Sequence, residues 1–297
     1  MRGILYLAVM TGIILVFGIV MQIVVRVIGI DLSSHNFISI LIVAAIFGFG
    51  GSMVSLFASK FIVKKTMGVQ LVTDRRDPQH AWLLDTVKAI ADEKGVAMPE
   101  VGIYNSSQMN AFATGWNKNA ALVCVSTGIM KGMNDEELSA VLGHEMSHVS
   151  NGDMVTSCLL QGIMNTFVYA LSIFIAQIIT SFLRSKSDSR DTGGFFIYHT
   201  VQTVLQIIFG LIATVVVMWF SRWREYRADA GAAELYGKKA MISALRALSR
   251  TATTPEGDKE TRSVATLCIY GGLNAQELFM THPTIEHRIE ALQKLPD

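Results

Sequence analysis

Charge is what this chain has least of. Only 16% of its 297 residues are Asp, Glu, Lys or Arg, where an ordinary soluble chain has about 25%. Hydrophobic residues reach 51%, and the mean hydropathy is +0.41. That balance argues against a chain surrounded by water on all sides. An excess of either sign is missing too: 25 basic against 24 acidic residues leave a formal charge of +1, without the basic excess of a nucleic-acid binder. Cysteine is scarce. Cys124, Cys158 and Cys268 are odd in number, far apart and form no CxxC pair, so neither a disulfide framework nor a thiolate zinc site is indicated. A reducing compartment is expected for the soluble parts, with Cys158 a small apolar packing residue. No internal repeat or low-complexity segment stands out.

What the chain does have is four long apolar segments, Gly3–Val25, Phe37–Ala58, Val155–Leu183 and Phe195–Phe220. A membrane-crossing helix needs about 20 residues. The first is far longer than the roughly 7–15 residues of a signal-peptide core and reads as a retained span. The last two contain no Asp, Glu, Lys or Arg but do carry Gln161, Asn165, Gln177, His199, Gln202 and Gln206, so they are expected to pack against protein as well as lipid. Basic residues flank the spans unequally. Lys60, Lys64, Lys65, Arg75 and Arg76 follow the second span, Arg222, Arg224 and Arg227 follow the fourth, and Arg26 stands alone in the first hairpin. The positive-inside rule then puts the N-terminus and both soluble segments in the cytoplasm, although the basic hairpin 184–192 disagrees mildly. The expected division is 1–58 as two transmembrane helices, 59–153 with 221–297 as one cytoplasmic domain, and 154–220 as two further transmembrane or membrane-embedded helices.

The soluble segments read as α+β, mostly helical, with one small sheet. Apolar spacing predicts a helix over Gln79–Lys94 closed by Gly95, and further helices over Lys238–Ser249 and Ile285–Leu295. Strands are expected at Glu100–Tyr104, Asn110–Thr114 and Ala121–Ser126, and a polar loop at Thr251–Glu260. Asn134, followed by Asp135, Glu136 and Glu137, reads as the N-cap of a helix ending near Gly152.

That helix carries LGHEMSHVSNGD, Leu142–Asp153. Positions i and i+4 share a helix face, so His144 and His148 can offer two imidazole nitrogens to one metal ion. Glu145 then points beside that ion. A divalent zinc lowers the pKa of a water it binds to about 7, and a neighbouring glutamate can take the proton. The bland alternative, a solvated face with two histidines, is weakened by Val141, Leu142, Met146 and Val149, which supply an apolar side for burial. A catalytic zinc also needs a third protein ligand and an open position. SRWREYRAD, Ser221–Asp229, offers Glu225 as ligand and Asp229 as a hydrogen-bond partner for a ligand histidine. Alone, this stretch reads more readily as a surface helix laced with Arg–Glu pairs, since Arg222, Arg224 and Arg227 are all present. Topology favours the metal, because a membrane hairpin brings Glu225 back to the side from which the histidine helix left.

The motifs GHEMSHVSNGD (Gly143–Asp153), REYRAD (Arg224–Asp229), NAFATG (Asn110–Gly115) and THPTIEHRI (Thr281–Ile289), with four apolar spans in the same order, resemble the HtpX family of membrane zinc metalloproteases. The resemblance covers essentially the whole chain and implies a gluzincin-like protease domain. It implies one Zn²⁺ per chain held by His144, His148 and Glu225, with Glu145 as general base and Asp229 in support. It further implies His282 as an oxyanion stabiliser, and Asn110, Ala111 and Phe112 as an edge strand holding extended substrate. The implied activity is that of a zinc metalloendopeptidase of stress response and protein quality control in a bacterial inner membrane, acting on misfolded or damaged membrane proteins at the cytoplasmic face. Its implied partners are those substrates, the lipid bilayer and other quality-control proteases. Two rivals differ in class. An intramembrane protease would place HExxH within a span, whereas here Asn134–Glu137 open the segment before the third span. A scaffold with a structural metal would close four ligands around it, whereas three are apparent.

Overall fold

The computed structural model describes residues 34–184, 192–252 and 282–296. The expected span Gly3–Val25, Cys268 and most of the expected polar loop lie outside these residues. The described chain is mostly helical with one small mixed sheet. In order it forms α1 (Ser34–Thr66), β1 (Gln70–Leu71), α2 (Pro78–Glu93), β2 (Glu100–Tyr104), β3 (Ala111–Thr114), β4 (Leu122–Ser126) and α3 (Thr127–Gly132). Then follow α4 (Asp135–Asn151), α5 (Asp153–Arg184), α6 (Thr192–Tyr236), α7 (Lys238–Ala252) and α8 (Ile285–Gln293). Two compact units result, Met1–Met53 with Leu159–Ala213, and Val54–Cys158 with Thr214–Asp297.

Among the described residues three helices are long and apolar enough to cross a membrane: Ile40–Thr66, Asp153–Leu183 and Gly194–Tyr236. They overlap the second expected segment from Ile40 onward and contain the third and fourth. Within the first unit, α5 makes the close contacts. It buries 33% of its apolar window, against 6% for α6. A Cβ on Gly48 of α1 would stand 2.4 Å from Thr166 Oγ1 and 2.6 Å from Thr166 N of α5, so only glycine permits this crossing. Asn165 Nδ2 donates to Gly48 O at 3.3 Å, which accounts for one polar residue of the third segment. His199 is exposed on α6, and its ring meets its helix neighbours Phe195 and Tyr198 edge-on, at 4.2 and 5.2 Å.

The second unit is built on the sheet, with strand order β1-β2-β4-β3. β2 and β4 run parallel and the outer pairings are antiparallel. Central β4 is wholly buried, as its apolar run LVCVS requires of a strand covered on both faces. Leu83, Val87 and Ile90 of α2, Leu142 and Met146 of α4, and Met241 and Leu245 of α7 complete one core. The helix α2 begins where Pro78 follows the N-cap Asp77, whose side chain accepts from Gln79 N at 2.8 Å. Two elements escaped the sequence reading. β1 has two residues, too few for any periodicity. Short α3, TGIMKG, has only Ile129 and Met130 as apolar side chains, too few to show a helical period, and its N-cap Ser126 doubles as the last residue of β4. At the far end of α1, Lys60 and Lys64 hold the Glu100 carboxylate at 3.0 and 2.5 Å. Burial alone would raise the pKa of Glu100, but the two ammonium groups outweigh it and hold it below the usual glutamate value.

Candidate metal centre

The histidine helix is fixed at both ends by local chemistry. Asn134 and Glu137 form a reciprocal capping box, with Glu137 N donating to Asn134 Oδ1 at 2.9 Å and Asn134 N donating to Glu137 Oε2 at 3.3 Å. Ser243 of α7 donates to the other Glu137 oxygen at 2.6 Å, which ties this cap to the domain core. The helix ends at Gly152, whose φ of 72° is left-handed and costs glycine nothing. That reversal turns Asp153 back toward the helix it has just left. Between the caps, Val141, Leu142, Met146 and Val149 are buried, and His144 and His148 share a face.

Close approach of α6 brings in the third group. Gly143 of α4 lies over Ala232 and Tyr236, where a Cβ would be 3.5 Å from Ala232 Cα. One turn on, a Cβ on Gly231 would stand 2.5 Å from Ser147 Oγ. Small residues on both helices therefore let the backbones come near enough for Glu225 to reach the histidines. Because α6 runs unbroken for 45 residues, about 68 Å at roughly 1.5 Å per residue, it outlasts a hydrocarbon core of about 30 Å. The same helix can thus be a span and deliver a ligand.

His144, His148 and Glu225 each offer one donor atom within 4.8 Å of the others. The two Nε2 atoms are 3.2 Å apart. Glu225 Oε1 is 3.3 Å from His148 Nε2 and Oε2 is 3.5 Å from His144 Nε2. The other ring nitrogens are already occupied, His144 Nδ1 by Asp229 Oδ1 at 2.9 Å and His148 Nδ1 by Asp153 Oδ2 at 2.8 Å. Arg288 Nη2 also lies 3.3 Å from His144 Nδ1, a donor facing a donor, so the shorter Asp229 contact sets the tautomer. Each carboxylate takes an N–H from Nδ1 and leaves Nε2 with a lone pair aimed at the centre. Two such lone pairs, or two protonated rings, repel at this distance. A single proton held on His148 Nε2 relieves the pair without metal, and a cation between the nitrogens would take that proton's place. Glu225 Oε2 is buried and makes no hydrogen bond of good angle, although His282 Nδ1 stands 2.9 Å away. The donor set fits a metal ion.

Electrostatics agree with the geometry. Burial opposes a charge on His148, but its bonds to Asp153 and Glu225 raise its pKa to about 9. For His144, too, burial is outweighed by Asp229 and Glu225, and its pKa rises. Half-buried Glu145 is raised by burial, against the lowering pull of His144 and His148. A carboxyl so placed is a better proton acceptor than an exposed one.

The sequence reading missed two members of this network. Arg288 is buried and grips Asp229 through Nε at 2.8 Å and Nη2 at 2.6 Å. It also lies 3.5 Å from Glu225. Asp153 is buried against His148. Both stand inside the quoted motifs, but only the left-handed turn at Gly152 and the packing of α8 make them partners. His282 arrives exposed beside Glu225, not within the histidine pair. Asn110 is exposed, and Ala111 and Phe112 are half-buried on β3. β3 lies beside α4 and pairs only with β4 among the described residues, leaving one strand edge open.

Comparison with known proteins gives a consistent result. The model of "Peptidase family M48" matches residues 77–296. The chain is 45% identical over 294 residues to "Protease HtpX" of Tolumonas auensis, covering 99% of each chain. It is 44% identical over 296 residues to the protein of that name in Salmonella arizonae, covering 99% of this chain and 98% of that one. Among solved structures, Ste24p of S. mikatae aligns with a TM-score of 0.62 at 17% identity, over 92% of this chain and 66% of that one. At that identity the likeness speaks for the fold alone.

Proposed function

The chain belongs to peptidase family M48, and from that membership and the converging donor set we propose that it is a zinc-dependent endopeptidase of membrane protein quality control. A membrane metalloprotease is what the relatives and apolar helices support directly. The rest is our reading: zinc as the metal, misfolded or damaged membrane proteins as substrates, and the cytoplasmic face of a bacterial inner membrane as the place of action. The observation that carries it is the pair of Nε2 atoms facing Glu225, with both Nδ1 atoms held by carboxylates. Two histidines and one carboxylate, three donors and not four, match catalytic zinc better than a closed structural site. Lys60, Lys64, Lys65, Arg75 and Arg76 around the end of α1 support the cytoplasmic placement.

His144, His148 and Glu225 would hold the ion, which when bound supplies a Lewis acid for a peptide carbonyl and acidifies water. Asp229 and Asp153 keep the two rings in the tautomer and orientation that present Nε2. Arg288 neutralises Asp229, so that carboxylate stays ionised while buried. Glu145 takes the proton of the attacking water and passes it to the leaving amine, and its raised pKa suits both transfers. The His282 ring touches Glu225 through Nδ1 and is otherwise exposed, so it would donate Nε2–H to the substrate oxyanion only in its doubly protonated form, with a hydrogen on each ring nitrogen. The open edge of β3 would hold the substrate backbone extended by strand addition.

The test uses protein purified under chelation and reloaded with zinc, comparing wild type with Glu145→Gln. Both should bind about one zinc per chain, and only wild type should cleave an unfolded protein. Zinc bound by both with cleavage by neither would replace the protease reading with that of a metal-stabilised scaffold.

A further inference from the structure

We propose that Trp116, at the tip of the β3–β4 hairpin, is an anchor in the lipid headgroup layer, and that it holds the open edge of β3 at the membrane surface. The inference deepens the protease reading, since it concerns where substrate meets that edge. The anchor itself can be tested without any cleavage.

The hairpin tip, 116–119, reads Trp-Asn-Lys-Asn and is exposed at every position. A tryptophan left 46% exposed is an odd ending for a soluble turn, where asparagine and glycine alone would serve. Its ring is not isolated. It lies 6.1 Å from the ring of Phe57, centroid to centroid. Phe57 belongs to α1, whose stretch Ile40–Thr66 is long and apolar enough to cross a membrane. It stands three residues before Lys60, where the apolar run gives way to charge. Three residues of helix rise about 4.5 Å, so Phe57 marks the end of the hydrocarbon layer to within a turn. Trp116 touches the helix at that level.

The surroundings share this character. Phe61 is 68% exposed, and Lys65 Nζ sits over its ring at 6.0 Å. Lys118 stands two residues beyond Trp116. Exposed aromatics each followed closely by a lysine suit a headgroup layer, where the ring lies among the upper acyl chains and the ammonium reaches phosphate. A protein partner would be expected to meet a flatter and less cationic apolar patch. Gly115, between strand and tip, has φ of +146° and would place a Cβ 2.7 Å from Ala120 O, so the turn that projects Trp116 admits little but glycine. Ala111 is five residues from Trp116, at most about 18 Å of extended chain. An extended segment leaving the bilayer could therefore reach the β3 edge without crossing bulk water.

The test is depth-resolved quenching of tryptophan fluorescence in proteoliposomes. Inactive Glu145→Gln protein and its Trp116→Phe derivative are compared, so that their difference isolates Trp116. Bromines are placed near the ester end or near the methyl end of the acyl chains. The expected result is quenching of the Trp116 component by the shallow bromines at least about twofold stronger than by the deep ones, with little quenching by aqueous iodide. Strong iodide quenching without lipid quenching would overturn the proposal. So would insensitivity to all three quenchers, which would mean that protein covers the ring.

A second measurement reads substrate positioning in active protein. Trp116→Ala should lower kcat/KM about threefold or more for an unfolded tail anchored to a membrane helix. The same tail free in solution should be cut as before, and Trp116→Tyr should restore the difference. An equal fall on both tails would refute positioning. Absence of cleavage by wild type would count against the protease reading alone, because the quenching result stands apart from it.

Discussion

Gly231→Ala is a small change with a large expected effect on the metal site. The added methyl would stand 2.5 Å from Ser147 Oγ and 3.0 Å from Ser147 Cβ, where non-bonded atoms prefer about 3.5–4.0 Å. Ser147 cannot swing away freely, because it is buried and its hydroxyl donates to Gly143 O at 2.7 Å. Helix α6 must therefore withdraw from α4 by roughly 0.5–1 Å, the shortfall in that contact. Overpacking of this kind costs about 1–3 kcal/mol, while the better helix propensity of alanine returns up to about 1 kcal/mol. Metal binding should suffer more than folding, because Glu225 rides on the displaced helix and a metal constellation tolerates only about 0.5 Å. A loss of about tenfold or more in zinc affinity is expected, or about 1.4 kcal/mol. The assay is competition with a chromophoric chelator in the Glu145→Gln background, beside thermal unfolding of the metal-free form. Ser147→Ala removes the nearest clashing atom, at a cost of about 0.5–1.5 kcal/mol by itself. The double variant should then be better than the sum of the singles by about 1 kcal/mol. Unchanged zinc affinity in Gly231→Ala, or no relief from Ser147→Ala, would refute the claim that close helix approach sets the donor geometry.

Asp229→Asn removes the carboxylate that grips buried Arg288, leaving it only the longer 3.5 Å contact with Glu225, and deprives His144 of a charged partner. Destabilisation of about 3–5 kcal/mol and a further 10- to 100-fold loss of metal affinity are expected, read by denaturant unfolding and zinc titration. A fall in metal affinity with no loss of stability would show that the Arg288–Asp229 pair does not support the fold. The metal-free chain should also lose stability as pH rises. His148 is raised from 6.5 to about 9, so its stabilisation is complete below about pH 6.5 and disappears as pH passes through about 9, on the order of 3 kcal/mol in all. Zinc affinity should follow the opposite course, rising over the same window as the proton is displaced. Calorimetry in two buffers of different ionisation enthalpy would detect the released proton. Affinity flat from pH 6.5 to 9 would contradict the Asp153–His148 pairing.

Local rules made much of this protein legible. The cap at Asn134, the stop at Gly152, the strands Glu100–Tyr104 and Leu122–Ser126 and the helix face shared by His144 and His148 all depend on residues a few positions apart. Three apolar segments were readable because a helix that faces lipid has no second partner to disguise its composition. The two-residue strand β1 and the short helix α3 fell below the length at which periodicity speaks.

Sequence by itself determined that the chain meets a membrane, and that two imidazoles and a carboxylate stand on one helix. Spacing and composition decide such things without reference to the rest of the fold. The sequence also offered Glu225 and Asp229 as candidates, but only tertiary structure decided that Glu225, 81 positions from His144 by their numbers, comes within 3.5 Å of it and that Asp229 meets the Nδ1 of His144. It alone decided that Asp153 locks the other ring, that Arg288 neutralises Asp229, and that Trp116 lies against Phe57. The physical reason is that these contacts follow from helix packing through small residues and from one left-handed turn. Neither writes a period or a spacing into the chain.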